Sequence, residues 1–145
     1  MRLSSTAFAD GAVVPVQFTC DGKDEPPPLT VSSAPEGTRS FALIMDDPDA
    51  PGGTFTHWLA YDIPAGEGTL QAGTAKTLQN SFGRSGYGGP CPPPGHGPHR
   101  YNFTLYALDV PSLSVGGKAR RDLEAALGTH TLATARLTGR YERRR

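Results

Sequence analysis

The 145-residue sequence predicts an all-β fold, an antiparallel β-sandwich with one late amphipathic helix and long Gly/Pro-rich loops. Three observations carry this prediction. The apolar segments are short and β-like, eighteen glycines and fourteen prolines cluster between them, and only one stretch has helical periodicity. The clustering of Gly and Pro, without any period, indicates elaborate loops and not disorder. With no internal repeat or dividing linker, residues 1–145 read as a single domain long enough to bury a core.

Each element has its own reason. "VVPVQF" (13–18) contains Pro15, which has no N–H to give a ladder, so it reads as an edge strand or the approach to a bulge. "SFALIMD" (40–46) is apolar at both parities, as expected of a central strand covered on two faces. "THWLAYDI" (56–63) is rich in aromatic and β-branched residues and stops at Pro64. "RYNFTLYALDV" (100–110) alternates cleanly, with Tyr101, Phe103, Leu105 and Ala107 on one side. "TLATARLTGRY" (131–141) reads as the last strand. The helix is "GKARRDLEAALG", with Ala119, Leu123, Ala126 and Leu127 on one stripe and Gly128 placed to cap its end.

Composition excludes several functions. Fourteen basic residues balance fourteen acidic ones, so no global field points to nucleic acid or an anionic membrane. The charge is unevenly spread: residues 1–50 are net acidic, and residues 120–145 carry seven arginines against three acids. The tail "RYERRR" reads as frayed and solvated. No run approaches the roughly 18 apolar residues of an integral membrane segment. "MRLSSTAFADG" lacks the apolar core of a secretory signal, so the expected location is the cytoplasm, where Cys20 and Cys91 would ordinarily stay reduced.

Two loops carry the candidate site. "DDPDAPGGTFTHW" (46–58) crowds three carboxylates onto a kinked turn ahead of His57 and Trp58, the only tryptophan. "GRSGYGGPCPPPGHGPHRY" (83–101) ends at His99 and Tyr101. Both histidines stand where a strand meets a Gly/Pro loop, a position at which a rigid sheet fixes a group and the loop supplies shape. By alternation His57 shares a face with Leu59 and Tyr61, leaving Trp58 on the other, and His99 shares one with Tyr101 and Phe103. No GK[ST] follows the second loop, which excludes a P-loop, but its glycines could turn amide N–H groups inward as an anion nest.

"DDPDAP" followed by "HW", then "GYGGPCPPPGHGPHRYNFTLYALD", resemble the two signature regions of the phosphatidylethanolamine-binding protein family, in particular its short bacterial, Raf kinase inhibitor-like branch. The likeness runs from about Ala7 to Tyr141. It implies a Greek-key sandwich with an end pocket for phosphate-like anions and phospholipid headgroups. Carried onto this sequence, the ligand-binding residues would be Asp47, Pro51, His57, Gly89, Cys91, Pro93, His99 and Tyr101. The family also implies a cis peptide at Ala50–Pro51, and the bacterial branch suggests a homodimer. His96 and the three-proline run depart from the commoner family pattern, and so does Val31.

In such a pocket the imidazoles, the Tyr101 hydroxyl and backbone N–H groups near Gly89 and Cys91 would serve a phosphate, while Asp47 would pair with an imidazole or meet an ammonium group. A carboxylate beside a histidine favours the imidazolium, so binding should weaken as pH rises. Asp49 reads as capping its own turn. Asp46 reads as solvated or bonded to a nearby loop, Arg100 as a salt-bridge partner for a loop acid, and His130 as a capping or surface residue. No cofactor and no catalytic step is required. The alternative is a hydrolase in the same pocket, built either on zinc held by Cys91, His96, His99, Asp47 and His57 or on a His/Asp/Cys set with Cys91 as a reactive thiol. Against zinc, neither C-x-x-C nor a helical H-x-x-x-H occurs.

Overall fold

The computed structural model describes residues 1–144. Two antiparallel sheets and a helix form three layers. The small sheet has the order β1-β2-β5, from β1 (Arg2–Ser4), β2 (Thr30–Ser32) and β5 (Gly68–Thr69). The large sheet has the order β6-β4-β3-β7-β8, from β3 (Ser40–Asp47), β4 (Phe55–Pro64), β6 (Lys76–Thr77), β7 (His99–Leu108) and β8 (Thr131–Tyr141). After β4 the chain crosses to the small sheet as β5, comes back beside β4 as β6, and passes through the long loop to β7 on the other side of β3, the Greek-key feature of the sandwich.

The two-sided apolar pattern of β3 has a direct structural cause. Phe41, Leu43 and Met45 pack between the sheets with Trp58, Phe103, Leu105 and Val31. Ala42 and Ile44 face the other way, where Leu59, Leu123 and Leu127 cover them. The covering helix, α1 (Arg120–Leu127), buries Leu123 and Leu127 and ends at Gly128. Arg120 fastens it to the sheet: its guanidinium lies 2.9 Å from Asp46 Oδ2 and donates to Thr56 Oγ1. Asp46 is therefore paired with the helix and is neither solvated nor bonded to a loop.

Segment 13–18 is not an edge strand. Val13 makes a single parallel bridge to Arg140, and Val16–Phe18 is a 3-10 turn that Pro15 begins at φ −58°. Val14 and Phe18 are buried while Val13 and Val16 are exposed, the spacing of a turn and not of a strand. The C-terminal tail is docked through Arg143, while the Arg144 side chain is exposed and pairs with neighbouring Glu142. Arg143 Nε lies 3.2 Å from Asp21 Oδ1, and the Arg143 carbonyl accepts from the Gly95 N–H. Arg145, the last residue of the stretch expected to fray, lies outside the described residues.

Cys20 and Cys91 form a disulfide with a Cα–Cα separation of 5.4 Å, so the expectation of two reduced thiols is corrected. The fold brings the 19–24 turn against the loop before β7. Three hydrogen bonds parallel the sulfur bridge: Cys20 N–H to the Pro90 carbonyl, Gly89 N–H to Asp24 Oδ1, and Tyr87 hydroxyl to the Phe18 carbonyl.

Candidate functional site

One end of the large sheet holds a cavity of about 190 Å³. Asp47, Pro51, His57, Cys91, Pro93, His99 and Tyr101 all line it, joined by Ala50, Phe55, Phe82 and Pro92. Gly89 does not. Its N–H is occupied by Asp24, and a Cβ there would run into the Phe18 carbonyl oxygen, so glycine serves close packing and not an anion nest. A larger hollow of about 300 Å³ under Pro26–Pro28 and Trp58 gathers only Glu25 and Thr69 as side chains with polar groups, apart from the indole.

His57 reaches the cavity through a β-bulge. In the β3–β4 ladder Met45 pairs with Trp58 and Asp46 with Thr56, which leaves His57 as the extra residue. The bulge abolishes the alternation read from sequence. Leu59 packs on the helix side, whereas His57 meets the Tyr101 ring edge-on at 5.3 Å between centroids, on the side of the sheet where Trp58 is buried. His57 Nδ1–H donates to the Gly88 carbonyl at 2.7 Å, so in the neutral ring Nε2 keeps its lone pair. Burial holds this imidazole below its ordinary value near 6.5, against the opposing pull of the Gly88 bond and the Asp47 charge. The sequence expectation that a nearby carboxylate would dominate is overturned for His57, because desolvation outweighs it.

β7 keeps its register, so His99 and Tyr101 share a face as the alternation indicates. His99 Nδ1–H donates to Asp47 Oδ2 at 2.6 Å, with both side chains buried. Asp47 Oδ1 accepts the Asp49 N–H at 2.7 Å, so Asp47, not Asp49, makes the turn-capping bond. Asp49 instead accepts from the Arg100 backbone and guanidinium, and that arginine holds its carboxyl down at about 2. This matches the salt bridge expected of Arg100. His130 lies 2.9 Å from Asp109 near the surface.

Tyr101 is the least settled group in the cavity. Its hydroxyl is fully buried, and no hydrogen-bond partner meets it in good geometry. Burial, and after it the Asp47 charge, raises the phenol well above its usual range, so it remains a donor at all ordinary pH. A buried unpaired donor costs about 1–3 kcal/mol unless something accepts from it.

Sequence reasoning counted His96 only among the ligands of the alternative zinc site and not among the ligand-binding residues. In the structure its Nδ1 lies 2.6 Å from His99 Nε2. The signal was its spacing three residues before His99 in a turn closed by Gly95 and Gly97, both at positive φ. Phe55 and Phe82 pack edge-on at 4.8 Å as an aromatic wall that no periodicity announced. Two further expectations fail. No peptide bond is cis among the described residues, Ala50–Pro51 included, and Cys91 is no free nucleophile because its sulfur is bonded to Cys20. Among the described residues no cluster of three or more His, Cys, Asp or Glu side chains is arranged to hold a metal.

The sequence profile described as phosphatidylethanolamine-binding protein matches residues 4–142. A UPF0098 protein of Aquifex aeolicus is 48% identical, over 99% of this chain and 89% of its own length. LppC of Mycobacterium tuberculosis, named as a candidate lipoprotein, is 43% identical, over 98% of this chain and 72% of its own. Among solved structures, the homologue CT736 of Chlamydia trachomatis superposes with a TM-score of 0.89 at 38% identity, covering 98% of this chain and 97% of that one. YbcL of E. coli, described as a member of the mammalian PEBP family, gives 0.86 at 33%, covering 97% of each. No helix among the described residues is long and apolar enough to cross a membrane. The chain belongs to the phosphatidylethanolamine-binding protein family.

Proposed function

We propose that the end cavity binds a small phosphate-bearing or zwitterionic ligand of the phospholipid-headgroup kind, with no chemical step. The observation that carries this reading is the buried, unpartnered Tyr101 hydroxyl beside the His57 imidazole. A phosphate oxygen would accept from the phenol, while a protonated phosphate oxygen would donate to His57 Nε2. Among the described residues no lysine or arginine lines the cavity, which favours a singly charged or zwitterionic guest over a dianion. The faces of Phe55 and Phe82 would suit an ammonium group or a short apolar stem. Family membership supports ligand binding in general.

The disulfide fits an oxidising compartment better than the cytoplasm first expected, and the lipoprotein name of one relative is in keeping with that. Calorimetric titration with phosphoethanolamine tests the reading. Saturable binding that Tyr101→Phe weakens about tenfold supports it, the loss of roughly one hydrogen bond. Binding unaffected by that change would overturn it.

A further inference from the structure

Three polar groups form a line from the cavity to solvent. Asp47 Oδ2 and His99 Nδ1 are 2.6 Å apart, and His99 Nε2 and His96 Nδ1 are again 2.6 Å apart. Asp47 and His99 are buried, whereas His96 is exposed. The two rings meet at 67° with centroids 4.9 Å apart, so the nitrogen lone pair of one is directed at the other. Both His99 nitrogens are thus engaged inside the protein, and the outer end of the line is His96 Nε2.

Among the described residues the cavity is lined by a carboxylate and by no basic side chain other than its imidazoles. An anion entering it meets the Asp47 charge, a repulsion that a poorly solvated site screens little. One proton added to the imidazole pair cancels that charge. His57 is a poor place for it, since burial disfavours its charged form. We infer that binding of a phosphate-like anion draws one proton from solvent onto His96, and that His96 is the positioning residue whose charge makes the Asp47–His99–His96 line net neutral.

In the anion-free form, His96 Nδ1–H donates to His99 Nε2, and His99 Nδ1–H to Asp47. The arriving proton bonds to His96 Nε2, making an imidazolium whose Nδ1–H still points at His99. No other bond is made or broken. The charged and titratable groups around the line are Asp47 at the end of β3, Asp49 just beyond it, His57 on β4, Arg100 and Tyr101 on β7, Tyr141 opposite His99 on β8, and Arg143 of the C-terminal tail, whose carbonyl holds the Gly95 N–H. Asp49 is neutralised by Arg100, and Arg143 by Asp21. Asp47 is left as the charge the proton must offset.

This inference rests on the proposed anion site but has its own readout. Inorganic phosphate is titrated into wild type and His96→Gln by calorimetry, in buffers of differing ionisation heat; the ionisation of phosphate itself cancels in the comparison. Wild type is expected to take up about one proton more per phosphate bound, and its affinity to fall more steeply with pH by up to about tenfold per unit. Equal proton uptake with parallel pH profiles would overturn the role of His96. So would tighter phosphate binding by His96→Gln, which would mean that the ring merely blocks His99. If wild type binds no phosphate at all, the anion reading fails together with this coupling. Separately, a 15N–15N coupling across the hydrogen bond between His96 Nδ1 and His99 Nε2 is expected in the ligand-free protein, and its absence would remove the line itself.

Discussion

Asp47 and His99, on neighbouring strands of the large sheet, share a 2.6 Å hydrogen bond while both are buried, and Asp47 also accepts the Asp49 N–H through its second oxygen. Both carboxylate oxygens are therefore in use. Asn at this position has a single acceptor oxygen, so either His99 or Asp49 faces an NH₂ group. Asp47→Asn is expected to lower the unfolding free energy by about 1–3 kcal/mol, measured by chemical denaturation. An unchanged midpoint would mean that neither bond holds the loop.

Tyr101→Phe separates binding from stability. The phenol makes no well-formed hydrogen bond and has only a poorly aligned approach to Asp47 to lose, so removing it is expected to leave the fold as stable as wild type or up to about 1 kcal/mol more stable. Denaturation of this variant should therefore show no loss even as its ligand affinity drops. A destabilisation of about 2 kcal/mol would reveal a bond that the hydroxyl already makes.

His57 should make the protein sensitive to acid. Its folded-state value lies below the ordinary one near 6.5, so between the two the unfolded chain holds more protons than the folded one. Stability must then fall as pH drops below about 6.5. Comparing wild type with His57→Gln across about pH 5–8 is expected to show the steeper decline in wild type. Parallel curves would mean that His57 titrates alike in both states.

Asp49 behaves in the opposite sense. With its carboxyl held at about 2 by Arg100, its contribution is complete above the ordinary carboxylate value and disappears as pH falls toward 2. NMR titration of the Asp49 carboxyl should show it ionised throughout the acid range down to that point. Arg100→Ala should raise it toward the usual range, with the N–H of residue 100 still bonded to it.

The disulfide closes a loop with a sequence separation of 71. In the chain-entropy view such a closure stabilises by about 4 kcal/mol. Cys20→Ser/Cys91→Ser is expected to lose a sizeable part of that and to weaken ligand binding, because Pro92 and Pro93 of the released loop form one cavity wall. Equal affinity in the double variant would mean that the three parallel hydrogen bonds hold the wall alone.

Most of the large sheet was legible in the sequence, since β3, β4, β7 and β8 owe their form to apolar patterning and stop signals near where the ladders end. The small sheet was not. β1 and β2 have three residues each and β5 two, too short for any period to show. Site residues on β7 were legible because its register is regular. His57 was assigned to the cavity for an incomplete reason: only the Met45/Asp46 irregularity in the ladder turns it to the face of Tyr101, and a bulge leaves no mark in alternation. The disulfide depends on how the 19–24 turn and the loop before β7 meet, which spacing along the chain does not determine.

Crystals grown with inorganic phosphate measure the central claim most directly. The account predicts tetrahedral density in the end cavity, within hydrogen-bond distance of both the Tyr101 hydroxyl and His57 Nε2. Density only on surface arginines, with the cavity empty at saturating phosphate, would contradict it.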